Sequence, residues 1–132
     1  MLLSVSGDEQ MTLDRIADYD FITIYSKYFG ISDMALHGEN EFGLSEFAAR
    51  RGMMQSTMKS LVLDGLVSVK RRQNGFQYSI SAVGKTVAGK MESEYASNYK
   101  MLARKTVEHF KGQSEQKIMK TISNTSTEFL RR

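Results

Sequence analysis

A chain of 132 residues with 41% hydrophobic and 25% charged residues has the size and balance of one ordinary globular domain. It has no cysteine, which excludes disulfides, thiolate metal sites and thiol nucleophiles, and its two histidines, His37 and His109, are too few for an imidazole-rich metal site. The net charge of +3 divides unevenly: residues 1–66 hold 5 Lys/Arg against 10 Asp/Glu, net −5, and residues 67–132 hold 13 against 5, net +8. Phosphates or an acidic protein surface are therefore expected to meet the second half.

No apolar run approaches the roughly 20 residues that span a bilayer, and residues 1–11 lack the basic start and apolar stretch of a signal segment. This predicts a cytoplasmic protein with no membrane contact. Proline is absent, where average usage of about 5% would give roughly six or seven, so helices can run long without kinks.

In chain order, residues 1–11 read as a weakly structured lead-in. Thr12 can cap a first helix with Asp14 in its first turn, and Leu13, Ile16, Ala17, Phe21, Ile24 and Tyr28 recur at spacings of three or four. Gly30 is its expected stop. Residues 31–43 show no sustained period and read as a loop that contains His37. Leu44, Phe47 and Ala48 predict a short helix, Gly52 a turn, and Met54, Met58, Leu61 and Val62 a second helix over about 53–64 that ends at Gly65. Residues 66–72 and 76–80 then read as two strands joined through Asn74-Gly75, a strong hairpin signal. Helix, turn, helix and hairpin describe a winged helix-turn-helix.

After Gly84 a stripe of Ala88, Met91, Tyr95, Tyr99, Leu102, Thr106 and Phe110 predicts one long helix. Gly112 breaks it, and Ile118, Ile122, Thr125 and Phe129 outline a last amphipathic helix. The expected architecture is mainly α with a small β-hairpin. It comprises the lead-in 1–11, a winged-helix domain over 12–111 with additional helices, and a C-terminal helix within 112–132.

Catalytic signals are nearly absent. Gly84 and Gly89 lack the strand-turn-helix context and the Gly-Lys-Ser/Thr of a phosphate loop, and no Gly-x-Ser-x-Gly elbow occurs. His37 neighbours Glu39 and Glu41, a loop cluster that would suit either solvent or the metal of a hydrolase. Asp14, Asp18 and Asp20 are spaced as an exposed acidic helix face. The expectation is a protein that is no enzyme and holds no metal or cofactor.

A base-reading helix needs Arg, Lys, Asn or Gln on its outer face, and residues 53–64 offer only Gln55 and Lys59. Arg50, Arg51, Lys59, Lys70, Arg71 and Arg72 are instead candidate contacts to DNA phosphates, non-specific and salt-dependent. Charges at a hairpin tip also keep an edge strand soluble. Met53 and Met54, with Tyr95, Tyr99 and Phe110, are candidate partner-facing residues, since thioethers and aromatic rings suit interfaces. Core packing is the competing account of Met54 and Tyr95.

The segments Leu13-Asp14-Arg15-Ile16, Tyr19-Asp20-Phe21, Leu36-His37, Glu46-Phe47-Ala48-Ala49-Arg50-Arg51, Leu61 to Val67, Gly75-Phe76-Gln77-Tyr78 and Ser93-Glu94-Tyr95-Ala96 together resemble a known family. It is the middle component of bacterial ABC-three-component systems, a group that includes Lamassu-type anti-phage defence. The likeness covers about residues 11–110 and departs at Gly38, where the family commonly has proline after the loop histidine.

The resemblance implies a non-catalytic adaptor subunit that bridges an SMC/Rad50-like ATPase and an effector, often a nuclease. It supplies no catalytic residues. Contact with double-stranded DNA would be auxiliary. The alternative is a dimeric winged-helix transcription regulator that binds a palindromic operator.

Overall fold

Helix α1 (Leu13–Ile24) is the axis around which the other elements pack. The structure, a computed structural model, describes residues 1–7, 9–34, 36, 44–73 and 75–130, and for 44–46 and 126–130 the backbone alone. His37, Glu39, Glu41 and Asn74 of the expected hairpin turn lie outside the described residues.

Thr12 caps α1 as its sequence predicts: the Arg15 amide donates to Thr12 Oγ1 at 3.2 Å. The apolar spacing pointed to one buried face, yet every residue from Ile16 to Ile24 is buried. Helices α2 (Leu44–Leu63), α4 (Glu94–His109) and α5 (Glu115–Leu130) all contact α1, so the polar positions between its apolar ones are covered too. Helix α1 ends at Ile24, short of the stop expected at Gly30; the chain turns through residues 25–30 and closes at Gly30, whose φ of +71° is the left-handed value glycine adopts without strain. There the Ile31 amide donates to the Ser26 carbonyl at 3.0 Å.

The lead-in is more ordered than its pattern suggested. Leu2–Val5 form a 3-10 turn, and Leu2 and Leu3 are buried in the main core. Four residues are too few to display a period; their order comes from contacts with α1, α3 and α4.

Helix α2 (Leu44–Leu63) runs 20 residues without a break. The turn expected at Gly52 is absent. A helical glycine costs only about 1 kcal/mol against alanine, and Ala48, Ala49, Arg50, Arg51, Met53, Met54 and Gln55 around it are good helix formers. The true stop is Gly65, as expected: φ is +76°, the Gly65 amide donates to the Val62 carbonyl at 3.1 Å, and the Leu66 amide to the Leu61 carbonyl at 2.9 Å.

Strands β1 (Met11–Thr12), β2 (Val67–Arg72) and β3 (Gly75–Ile80) form an antiparallel sheet in the order β1-β3-β2. The β2–β3 hairpin pairs Val67 with Ile80 and Arg72 with Gly75, and β1 is an additional strand, two residues long, that pairs Met11 with Tyr78. The chain is thus mainly helical with a small sheet.

The long helix expected after Gly84 is two. Helix α3 (Ala82–Gly89) ends near Lys90 and α4 (Glu94–His109) begins after Ser93, whose side chain accepts from the Ala96 amide. The expected stripe is interrupted at the break: Met91 and Tyr95 are exposed there, whereas Ala88 before it and Tyr99, Leu102, Thr106 and Phe110 after it are each at most 6% exposed. Gly112, with φ of +81°, separates α4 from α5 (Glu115–Leu130). Ile118 and Ile122 of α5 are fully buried against the core, each contributing roughly 2 kcal/mol by burial.

Candidate functional site

Two carboxylates that the sequence placed on an exposed face are inside the protein: Asp18 and Asp20 are buried, and only Asp14 of the three is exposed. Asp20 is fully engaged. Arg50 Nε and Nη2 donate to its Oδ2 at 3.0 and 2.9 Å, and the Tyr99 hydroxyl donates to its Oδ1 at 2.7 Å. Burial, then the facing Asp20 carboxylate, holds the Tyr99 hydroxyl protonated well beyond the ordinary phenol range, which suits its role as donor.

Asp20, Arg50 and Tyr99 also line an open cleft of about 320 Å³. Met54, Met58 and Leu61 of α2 form one wall, Val87 and Ala88 of α3 the other, and Met91 and Tyr95 stand at the α3–α4 corner. Leu2, Val67 and Ile80 line it from the 3-10 turn and the sheet. Four of the nine methionines, Met1, Met54, Met58 and Met91, line this one cleft. The corner is pinned by Lys100, whose Nζ donates to the Ala88 carbonyl at 2.6 Å and to the Met91 carbonyl at 3.0 Å. A cation on the last carbonyls of α3 replaces the bonds a continuing helix would have made.

The six candidate phosphate contacts do not form one patch. Arg50 is committed to Asp20, and Arg51 Nε donates to Asp14 Oδ1 at 2.7 Å, so both α2 arginines are tied to α1. Lys59 is exposed on α2. On the hairpin, Lys70 lies opposite Gln77 and Arg71 opposite Phe76; residues alternate between faces, so Lys70 and Arg72 share one face and Arg71 takes the other with Val69 and Tyr78. All three are exposed, and Arg72 Nη2 donates to Gln10 Oε1 at 3.1 Å. Strand β2 lies at the edge of the sheet, where such charges discourage pairing with another chain.

The five candidate partner contacts also divide. Met53 is 64% exposed and Tyr95 43%, Met54 is half-buried, and Tyr99 and Phe110 are core residues at 6% and 2%. The expected surface of Tyr95, Tyr99 and Phe110 is not formed, because α4 packs on α1 along the Tyr99 and Phe110 side.

A second group surrounds Asp18. With Asp14, Phe47, Arg51, Glu115 and Met119 it lines a recess between α1, α2 and α5. Burial, then the neighbouring charges of Asp14 and Glu115, pushes the Asp18 carboxyl up to about 7, against the opposite pull of Arg15 and Arg51. Glu115 accepts a hydrogen bond from the Thr12 hydroxyl, and Arg15 Nη2 donates to the Gln113 carbonyl at 2.8 Å, so this recess also fastens α5 to the start of α1.

Asp18, Asp20 and Lys100 were not singled out by the sequence as site residues. A signal for Asp20 exists: it stands within Tyr19-Asp20-Phe21-Ile22-Thr23-Ile24, where a carboxylate inside an apolar run calls for a buried cation.

Among the described residues no three His, Cys, Asp or Glu side chains are placed to hold a metal ion, and no helix is long and apolar enough to cross a membrane. Fold and site define a small, mainly helical protein with an antiparallel sheet and an open, methionine-lined cleft. The chain belongs to the ABC-three component (ABC-3C) system Middle Component 2 family, whose family model matches residues 1–132. As a middle component it is one part of a multi-component system, and so has partner subunits. No curated protein and no solved structure matches it.

Proposed function

We propose that the protein is a non-catalytic adaptor of a multi-part defence complex, joining an SMC/Rad50-like ATPase to an effector that is often a nuclease. The observation that carries this reading is the open cleft. Beside it Val87, Met91 and Tyr95 leave 39%, 42% and 43% of their surfaces exposed. Clustered apolar exposure of this kind on a small soluble chain marks a surface covered by another molecule. Membership of a middle-component family supports the reading, since it supplies the partners.

The order of β1, α1, α2, β2 and β3 supports treating this part as a variant winged helix. In place of the pair expected within 44–64, α1 and α2 would be the packed helices and β2–β3 the wing. The outer face of α2 carries Lys59 as its lone cation among the described side chains, with Ala49, Gly52, Ser56, Ser60 and Leu63 also exposed there. That composition favours a protein surface over base edges. DNA contact is auxiliary and falls to Lys70, Arg71 and Arg72 of the wing.

Co-expression with the proteins encoded beside it tests the adaptor reading. The expected result is a stable complex that contains both larger subunits, with ATP turnover and effector activity absent from the isolated chain. A chain that ignores those neighbours yet binds one promoter duplex at least a hundredfold more tightly than random DNA would instead be a transcription regulator.

A further inference from the structure

We propose that the cleft between α2, α3 and the start of α4 receives an amphipathic segment of a partner subunit, one that carries apolar side chains and at least one carboxylate. This rests on the adaptor reading and adds the place and chemistry of the contact. At about 320 Å³ the cleft is at the lower end of the roughly 300–1,000 Å³ range of ligand sites, room for a few side chains laid along a groove. Its methionines suit such an occupant, because an unbranched thioether side chain adapts its shape to the apolar group it meets.

The sign of the charge comes from what the cleft displays. Asp20 and Arg50 are the two charged side chains among its lining residues, and they are not equally displayed: the Arg50 side chain is 27% exposed and that of Asp20 is 7%. Both Asp20 oxygens are already bonded within the protein, to Arg50 and to Tyr99. The cleft therefore hides its carboxylate, and Arg50, though tied to Asp20 through Nε and Nη2, keeps Nη1 outside those bonds for a further acceptor. Lys100 adds a second cation against the Ala88 and Met91 carbonyls. An incoming carboxylate is attracted by this field, and the charge-assisted bonds it can make to a guanidinium are the strong ones. A second copy docked cleft to cleft would set Arg50 against Arg50, which disfavours two-fold self-association there.

A photo-crosslinking residue in place of Val87, and another in place of Lys117 on α5 as control, are introduced into the chain co-expressed with the proteins encoded beside it. The expected product from position 87 is a partner peptide with Asp or Glu within a few residues of Leu, Met or Phe, and position 117 does not give it. Val87→Glu and Val87→Lys then separate charge from shape, because each puts a long polar side chain at the same exposed site. Val87→Glu is expected to weaken assembly tenfold or more and Val87→Lys threefold or less, at unchanged melting temperature. If either variant melts lower than the native chain, Met91→Glu and Met91→Lys are the replacement pair, with the same expected contrast.

Equal losses for Glu and Lys, no loss for either, or a crosslink to a basic segment or to a second copy of the chain overturns the cleft proposal while the adaptor reading stands. If the native chain assembles with none of its neighbours, the adaptor reading fails and the cleft proposal with it.

Discussion

Asp20 and Arg50, thirty residues apart on α1 and α2, are joined by two charge-assisted hydrogen bonds of 3.0 and 2.9 Å to a single carboxylate oxygen. The carboxylate side chain is 7% exposed, so its charge is tolerated only because the guanidinium and the Tyr99 hydroxyl replace its water. Removing the cation strands the anion. Arg50→Met is expected to cost about 2–4 kcal/mol by denaturant titration. Adding Asp20→Asn to that variant should recover at least half of the loss, because the buried charge is then gone as well. A single-variant loss below about 1 kcal/mol would show that water reaches the carboxylate.

Gly84 is fixed by a close approach. A Cβ built there lies 2.0 Å from the Leu66 carbonyl oxygen and 2.9 Å from Ile80 Cγ1. Alanine would gain about 1 kcal/mol of helix propensity, but the oxygen it meets belongs to backbone held by Ser81, whose amide donates to it at 3.1 Å. Gly84→Ala should therefore destabilise by about 2 kcal/mol or more. Gly89→Ala, at the other end of α3 with nothing within 4 Å, should be neutral or slightly stabilising. Thermal melts of the two variants decide it: comparable midpoints would mean that α3 moves freely off the sheet.

The helices were legible where one residue decides. Thr12, Gly65 and Gly112 act where the sequence puts them, as a cap and two turns at positive φ, whereas α1 ends at Ile24, well before the stop expected at Gly30. The hairpin was legible as well, though Gly75, expected in its turn, opens β3 and pairs with Arg72. Two readings failed because a local signal was weaker than its surroundings. Gly52 looks like a turn only if its neighbours are ignored, and the stripe through Met91 looks continuous because apolar spacing does not register the cap that Ser93 supplies to a new helix. The candidate site was half legible. Met54 and Tyr95 do reach one cleft while Met53 does not line it, and the pairing of Asp20 with Arg50 and Tyr99 depends on contacts across 30 and 79 positions that no period encodes.

Gly52 gives a direct test of the unbroken α2. Its backbone lacks the positive φ of the five turn glycines, and a Cβ there would meet nothing within 4 Å. Gly52→Ala should stabilise the protein by about 0.5–1 kcal/mol, through helix propensity and a less flexible unfolded chain. A helix-turn-helix with its turn at this residue would respond with the opposite sign. Urea midpoints at constant slope distinguish the two.

Asp18 sets a pH dependence whose sign is unusual for a carboxylate. Its folded value of about 7 lies above the ordinary 3.8, so the folded state binds the proton more tightly than the unfolded state. Stability is then greatest below pH 4 as far as this group is concerned, and it falls as pH rises between about 4 and 7. Arg15 and Arg51 offset part of the repulsion from Asp14 and Glu115, but not the burial that dominates. Asp18→Asn keeps the shape and removes the ionisation. It should be more stable than the native chain by about 1–3 kcal/mol at pH 8 and nearly equal to it at pH 4. Because the recess includes Glu115 of α5, hydrogen exchange of the α5 amides should slow in Asp18→Asn at pH 8. An unchanged difference between the two proteins across the range would show that Asp18 ionises in water at its ordinary value.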